Sequence, residues 1–169
     1  MSDVLTADQV LDAAPDAIVV VDVDANVVRV NGQAEKLFLY DRAELLGKPL
    51  DVLVPDRARP RHQEMVASYF AEPTTRAMGS AIQLVGRRRD GSEVPVEVSL
   101  SPIHTSGGIL VCAAIRDVTE RKAIERAAKL NADRLMSAIE SIEDAFAIYD
   151  ADERLVLCNS SYRTIVAQD

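Results

Sequence analysis

The apolar positions change period twice along the chain, and each change marks an element. Thr6-Ala-Asp-Gln9 has capping-box spacing, and Val10, Leu11 and Ala14 follow it, predicting a short helix stopped by Pro15. Two β-branched runs, Ile18–Val23 and Val27–Val30, flank Asp24-Ala25-Asn26 and predict a hairpin. Helical spacing then returns in Ala34, Leu37 and Phe38, in Arg42–Leu46 before Gly47, and in Met65, Val66 and Tyr69 after Pro60. The second half reverts to strands. A strand is expected over Ala77–Arg88, a turn at Arg89-Asp90-Gly91-Ser92, and a half-buried strand through Val94, Val96, Val98 and Leu100. Past Ser106-Gly107-Gly108, Ile109–Ile115 reads as a fully buried strand. The expected class is α+β: a five-stranded antiparallel sheet with short helices on one face, an N-terminal cap helix and a long C-terminal linker helix.

That linker begins after Val118. Ile124, Ala128, Asn131, Leu135, Ala138 and Ile142 recur at 4-3-4-3-4 spacing, the seam of a two-stranded coiled coil with Asn131 fixing its register. A homodimer through this helix and the N-terminal helix Ala7–Ala14 is expected; the alternative is a helix packed on its own domain. The chain also repeats itself. Residues 16–31, DAIVVVDVDANVVRVN, align without a gap to residues 144–159, DAFAIYDADERLVLCN, at an offset of 128 positions. The expected organisation is a cap helix over 1–14, a complete domain over 15–118, a coiled-coil linker over 119–141, and the incomplete start of a second domain over 142–169. In that last piece Phe146, Ile148, Leu155 and Leu157 are expected to form a partly ordered hairpin, to be covered by a partner, or to be disordered.

Composition narrows the function. The net charge of −8 argues against nucleic acid as the main partner, so Arg57, Arg59, Arg61 and Arg87–Arg89 read as solvated surface. With 48% apolar residues, 4% aromatics and no Trp, the core rests on Val, Ile, Leu and Ala. The longest apolar run is too short for a bilayer, and MSDVLTADQV has no secretory pattern, so a cytoplasmic location without membrane attachment is expected. Cys112 and Cys158 lie in strand-like runs and read as buried and reduced. Nucleotide-binding loops, nucleophile elbows and metal clusters are all missing, and His62 and His104 have no partner at a recognised spacing. Catalysis is expected to reside in another domain.

Three segments in order, PDAIVVVDVDANVVRVNGQAEKLF, RRRDGSEVPVEVSLSPI and IRDVTERK, resemble the PAS domain, a five-stranded sensor fold of bacterial signalling proteins. The resemblance covers about residues 8–120, with a second PAS start from about 138. It implies a non-catalytic sensory module of a histidine kinase or diguanylate cyclase. Such a module passes a ligand, redox or partner signal through the Asp-x-Thr ending, Asp117 and Thr119, into a dimeric helix and on to an output domain. The alternative is a ligand-free dimerisation or interaction module.

A further resemblance concerns the signal. VPDRARPRHQEMVASY is similar to the helix that supplies the proximal histidine in haem-binding PAS oxygen sensors, which makes His62 the candidate iron ligand. The match implies an apolar distal wall of Val96, Val98 and Leu100, with Arg57, Arg59 and Arg61 near the propionates. Ile82 stands where those sensors carry a distal arginine and cannot donate a hydrogen bond. Ser68 replaces another arginine. A haem here would favour carbon monoxide, nitric oxide or redox chemistry. Flavin is disfavoured, because EKLFLYDRAELLG lacks the cysteine of the light-sensing members. Beyond haem, an empty pocket or an unidentified apolar ligand remains open.

Overall fold

A computed structural model of the chain describes residues 6–78 and 83–167. The chain divides into two compact units, residues 1–119 and 120–169. The first opens with helix α1 (Ala7–Asp12), whose Thr6–Gln9 capping box forms as its sequence predicts. Strands β1 (Ala17–Val21) and β2 (Val27–Val30) make an antiparallel hairpin. Its turn is built by Asp22, whose carboxylate accepts the backbone N–H of Asp24 and Asn26 while Ala25 adopts φ 60°. Asn31 then caps α2 (Gly32–Phe38), and α3 (Arg42–Leu45) follows. Two 3-10 turns, Leu50–Leu53 and Asp56–Ala58, lead into α4 (Arg59–Ala71), with Pro60 in its first turn, where a missing N–H costs nothing.

The sheet continues with β3 (Arg76–Met78), β4 (Leu84–Arg87), β5 (Glu93–Thr105) and β6 (Gly108–Asp117), in the order β2-β1-β6-β5-β3 with β4 also on β5. All pairings are antiparallel, and the helices α2 to α4 lie between the second and third strands in sequence, as expected. The single strand expected over Ala77–Arg88 is instead two pieces. Met78 faces Val98 and Leu84 faces Val96 on β5, and residues 79–82 of the expected strand lie outside the described residues.

One face of the sheet packs against the helices. Val19, Val21, Val27, Val30, Phe38, Leu45, Val94, Val111, Ala113 and Ile115 are buried there in one cluster. Gly86 is fixed by this packing, because a Cβ at its position would lie 2.8 Å from the Phe38 ring. Strand β6, expected to be buried throughout, alternates: Val111, Ala113 and Ile115 are buried, while Leu110, Cys112 and Ala114 are half-buried on the other face. Both cysteines are therefore half-buried and free, not fully buried as their apolar runs suggest. Burial still pushes the Cys112 thiol above its ordinary pKa.

The second unit contains α5 (Thr119–Glu140, from Glu120 onward), the hairpin β7 (Ala147–Tyr149) and β8 (Leu155–Cys158), and α6 (Ser160–Val166). Phe146 and Leu157 are half-buried, whereas Ile148 and Leu155 are exposed. Along α5, Ile124, Ala128, Asn131, Leu135 and Ala138 are all exposed.

Candidate functional site

Between the sheet and helices α2 and α4 lies a cavity of about 340 Å³. Its walls are apolar: Val21 and Phe38 on one side, Leu50 and Leu53 at the first 3-10 turn, Met65, Val66 and Tyr69 on α4. Val96, Val98 and Leu100 line it from β5, together with Val111, Ala113 and Ile115 of β6. Ile82, the remaining predicted lining residue, lies outside the described residues. The charged groups on the wall are all basic: Arg57, Arg61, His62 and Arg76, with no Asp or Glu among the described lining residues.

His62 lies on the first turns of α4 and lines the cavity. Its Nδ1 is 3.3 Å from Asp51 Oδ1, and Asp51 Oδ2 accepts from Gln63 Nε2 at 2.5 Å. Asp51 thus sets the tilt of the imidazole and leaves Nε2 as the ring nitrogen free for another partner. Arg57 is bound to Glu93 in a two-pronged ion pair, which holds the Glu93 carboxyl below its usual range. Arg59 pairs with Asp56 at 2.7 Å and donates to the Asp51 carbonyl. It is Arg61 and Arg76 that have no carboxylate partner among the described residues. Arg76 stacks on the Tyr69 ring at 4.9 Å from its centroid. Burial raises the Tyr69 phenol, against the opposing pull of Arg76, and its hydroxyl donates to the Thr74 carbonyl at 2.8 Å.

The cavity is connected to the start of α5 by a short series of contacts. Phe38 lines the cavity at the end of α2, and the neighbouring Leu37 carbonyl accepts from Arg88 Nε at 2.9 Å. The same guanidinium lies 3.6 Å from Asp117 Oδ2, while Asp117 Oδ1 accepts the Thr119 N–H at 2.8 Å. Asp117 is therefore both the end of a cavity-lining strand and the latch on the first residue of α5. Sequence reasoning missed Arg88 by assigning Arg87–Arg89 to solvent. Each of the three takes an acid: Arg87 with Asp56, Arg88 with Asp117 and Arg89 with Glu44. The signal was their position directly after a predicted strand, opposite the predicted exit. Asn131, the third predicted relay residue, is exposed on α5 and is not brought to this latch.

An antiparallel sheet with helices packed on one face and a ligand-sized apolar cavity between them defines an α+β fold. The family model for the PAS fold matches residues 11–123, and the chain belongs to that family. It is 27% identical over 144 residues to the oxygen sensor protein DosP of Escherichia coli, covering 85% of this chain and 18% of DosP. It is also 27% identical over 113 residues to the sensor protein FixL of Bradyrhizobium diazoefficiens, covering 67% of this chain and 22% of FixL. The crystal structure of the PAS domain of an HTR-like protein from Haloarcula marismortui matches with a TM-score of 0.54 at 26% identity, over 65% of this chain and 92% of that one. The chain spans about a fifth of the length of these curated relatives. Among the described residues, no helix is long and apolar enough to cross a membrane, and no cluster of His, Cys, Asp and Glu is arranged to hold a metal ion.

Proposed function

We propose that this chain is the sensory part of a larger cytoplasmic signalling protein, a histidine kinase or diguanylate cyclase. Its cavity takes an apolar molecule carrying an anionic group, and Asp117 and Thr119 pass the change into α5. The observation that carries this reading is the charge pattern of the cavity: apolar walls, unpaired Arg61 and Arg76, and no carboxylate on the described lining. Both guanidiniums are solvent-exposed and have no carboxylate partner among the described residues, so in a chain of net charge −8 they mark the part of the apolar cavity wall that favours an anion. A ligand that fills the cavity presses on Phe38 and on the inner face of β6. Through Leu37, Arg88 and Asp117 that pressure reaches the first turn of α5. The exposed residues Ile124, Ala128, Asn131 and Leu135 are the seam by which two copies of α5 pair.

Haem is one member of this ligand class, a flat apolar ring with two carboxylates, and His62 favours it. The Asp51 contact to Nδ1 is the outer-shell arrangement common to iron-bound imidazoles. His62 would hold the iron, Arg61 would meet a propionate, and Val96, Val98 and Leu100 would exclude water. Haem would supply an iron responsive to gas or redox state.

Thermal unfolding with decanoate, decanamide and haemin tests the reading. At a hundredfold excess over Kd, decanoate raises Tm by roughly 10 °C, decanamide does so less, and Arg61→Ala with Arg76→Ala removes the difference. Haemin gives a Soret band that His62→Ala abolishes. If neither decanoate nor haemin binds, the ligand-free interaction module is the better description. Light-scattering mass tests the pairing of α5: a dimer that Leu135→Glu converts to monomer is expected.

A further inference from the structure

The hydrogen bonds around two buried asparagines repeat across the molecule. Asn31 Oδ1 accepts from the N–H of Ile18 at 2.8 Å and of Ala34 at 3.0 Å, and its Nδ2 donates to the Leu11 and Asp16 carbonyls, both at 3.0 Å. Asn159, 128 positions on, accepts from Phe146 at 2.9 Å and Tyr162 at 3.0 Å, and donates to Ile142 at 3.0 Å and Asp144 at 2.8 Å. Both side chains are fully buried. In the first unit the amide ties the end of α1 to β1 and to the N-terminus of α2; in the second it ties Ile142, two residues beyond α5, to Phe146 at the start of the hairpin and to the N-terminus of α6.

A second contact repeats beside it. Asp12, the last residue of α1, accepts the Gly32 N–H at 2.8 Å at the N-terminus of α2. Glu140, the last residue of α5, accepts the Ser160 N–H at 2.9 Å at the N-terminus of α6. Each acid also meets an arginine, Arg42 at 3.1 Å and Arg163 at 2.6 Å. Positions 12 and 140 carry different acids, and the two arginines stand at unrelated positions of the repeat. The contact is kept with an acid of different length and with its arginine supplied from a different place.

We propose that the last turns of α5, Leu135–Glu140, are the cap helix of the second unit, that Glu140 clamps them to α6 as Asp12 clamps α1 to α2, and that Asn159 fixes the segment Ile142–Asp144 that follows. One uninterrupted helix is then the exit of the first unit and the entry element of the second. Glu140 and Asn159 are positioning residues: a rotation of α5 moves the backbone of β7 and α6 directly, because Ser160 N–H and Phe146 N–H are bonded to the clamp. The clamp does not depend on what fills the cavity.

Hydrogen exchange of the intact 169-residue chain tests it. Glu140→Ala raises exchange at Ser160 and along 135–140 about fivefold, the value of one lost hydrogen bond at an exposed site. Glu140→Gln, which keeps the shape, raises it less, and Glu143→Ala does nothing. Asp117→Ala, which opens the latch at the other end of α5, raises exchange at Ser160 and Phe146, and Glu140→Ala abolishes that response. Because Asn159→Ala risks unfolding the hairpin outright, the glutamate variants carry the decision. Unchanged protection at 135–140 in both Glu140 variants, or a response of Ser160 to Asp117→Ala that survives Glu140→Ala, overturns the proposal.

Discussion

The hairpins β1–β2 and β7–β8 are one local structure in two environments. Their registers coincide after a shift of 128 positions, down to the irregularity between Val20 and Val21 and between Ile148 and Tyr149. Asp22 and Asp150 organise their turns with the same pair of backbone bonds, and Ala25 and Glu153 share φ 60°. Burial separates them. All of β1 is buried, whereas Ile148, Tyr149, Leu155 and Val156 are between 44% and 64% exposed. Turn chemistry and the asparagine cap thus specify the shape of a hairpin; a sheet partner on its far side and helices on its face give it most of its stability. The first hairpin has both, with β6 against β1 and Arg116 gripping Asp16 in a two-pronged ion pair.

Matched substitutions in the two copies break or sharpen this comparison. The largest contrast is at the asparagines. Asn31→Ala removes four hydrogen bonds, leaves the buried Ile18 N–H and the Asp16 carbonyl without this partner, and costs the first unit about 3 kcal/mol by chemical denaturation. Asn159→Ala leaves that transition in place and removes exchange protection in β7 and α6 alone. Next come the strand side chains: Val19→Ala opens a cavity in the core and costs about 2 kcal/mol, while Ile148→Ala, half-exposed, costs less than about 1 kcal/mol. Equal costs at the two sites would mean that the second hairpin is as well supported as the first.

A pH effect tests the Glu140 clamp. The Ser160 hydroxyl and N–H, aided by Arg163, hold the Glu140 carboxyl below its usual range. A depressed carboxyl contributes stability that is complete above the unfolded pKa and is lost as pH falls through the folded one. Protection of Ser160, corrected for intrinsic exchange, is therefore constant above about pH 5 and falls below about pH 4; in Glu140→Gln it is flat. The smallest effect should be the same in both copies: Ala25→Gly and Glu153→Gly relieve a left-handed residue and stabilise each turn by less than about 1 kcal/mol. A difference between them would show that the turns are not local structures.

What the sequence disclosed follows the same division. The hairpin, the cap at Thr6 and the turn at Gly91 were legible because each rests on near neighbours, and the family because its three segments stand in order; Asn31 read only as the end of a strand, not as a cap. The break between β3 and β4 was not: β5 sets it by pairing with both pieces, a long-range constraint without local mark. Nor was the role of Arg88, since a basic residue after a turn looks solvated until the sheet brings Asp117 beside it. Asp51 escaped notice for the same reason; its value lies in the later helix that carries His62. Glu140 looked like one more charge at a helix end, and only the structure sets it against Ser160.

Strand β1 is hydrogen-bonded on both sides, to β2 and β6, whereas β7 pairs only with β8 among the described residues. Backbone donors and acceptors along the outer side of β7 are thus a free template for another extended segment, next to exposed Ile148 and Tyr149. In concentrated solution this edge is a place for a foreign strand to pair, and a lysine in place of Ile148 blunts it.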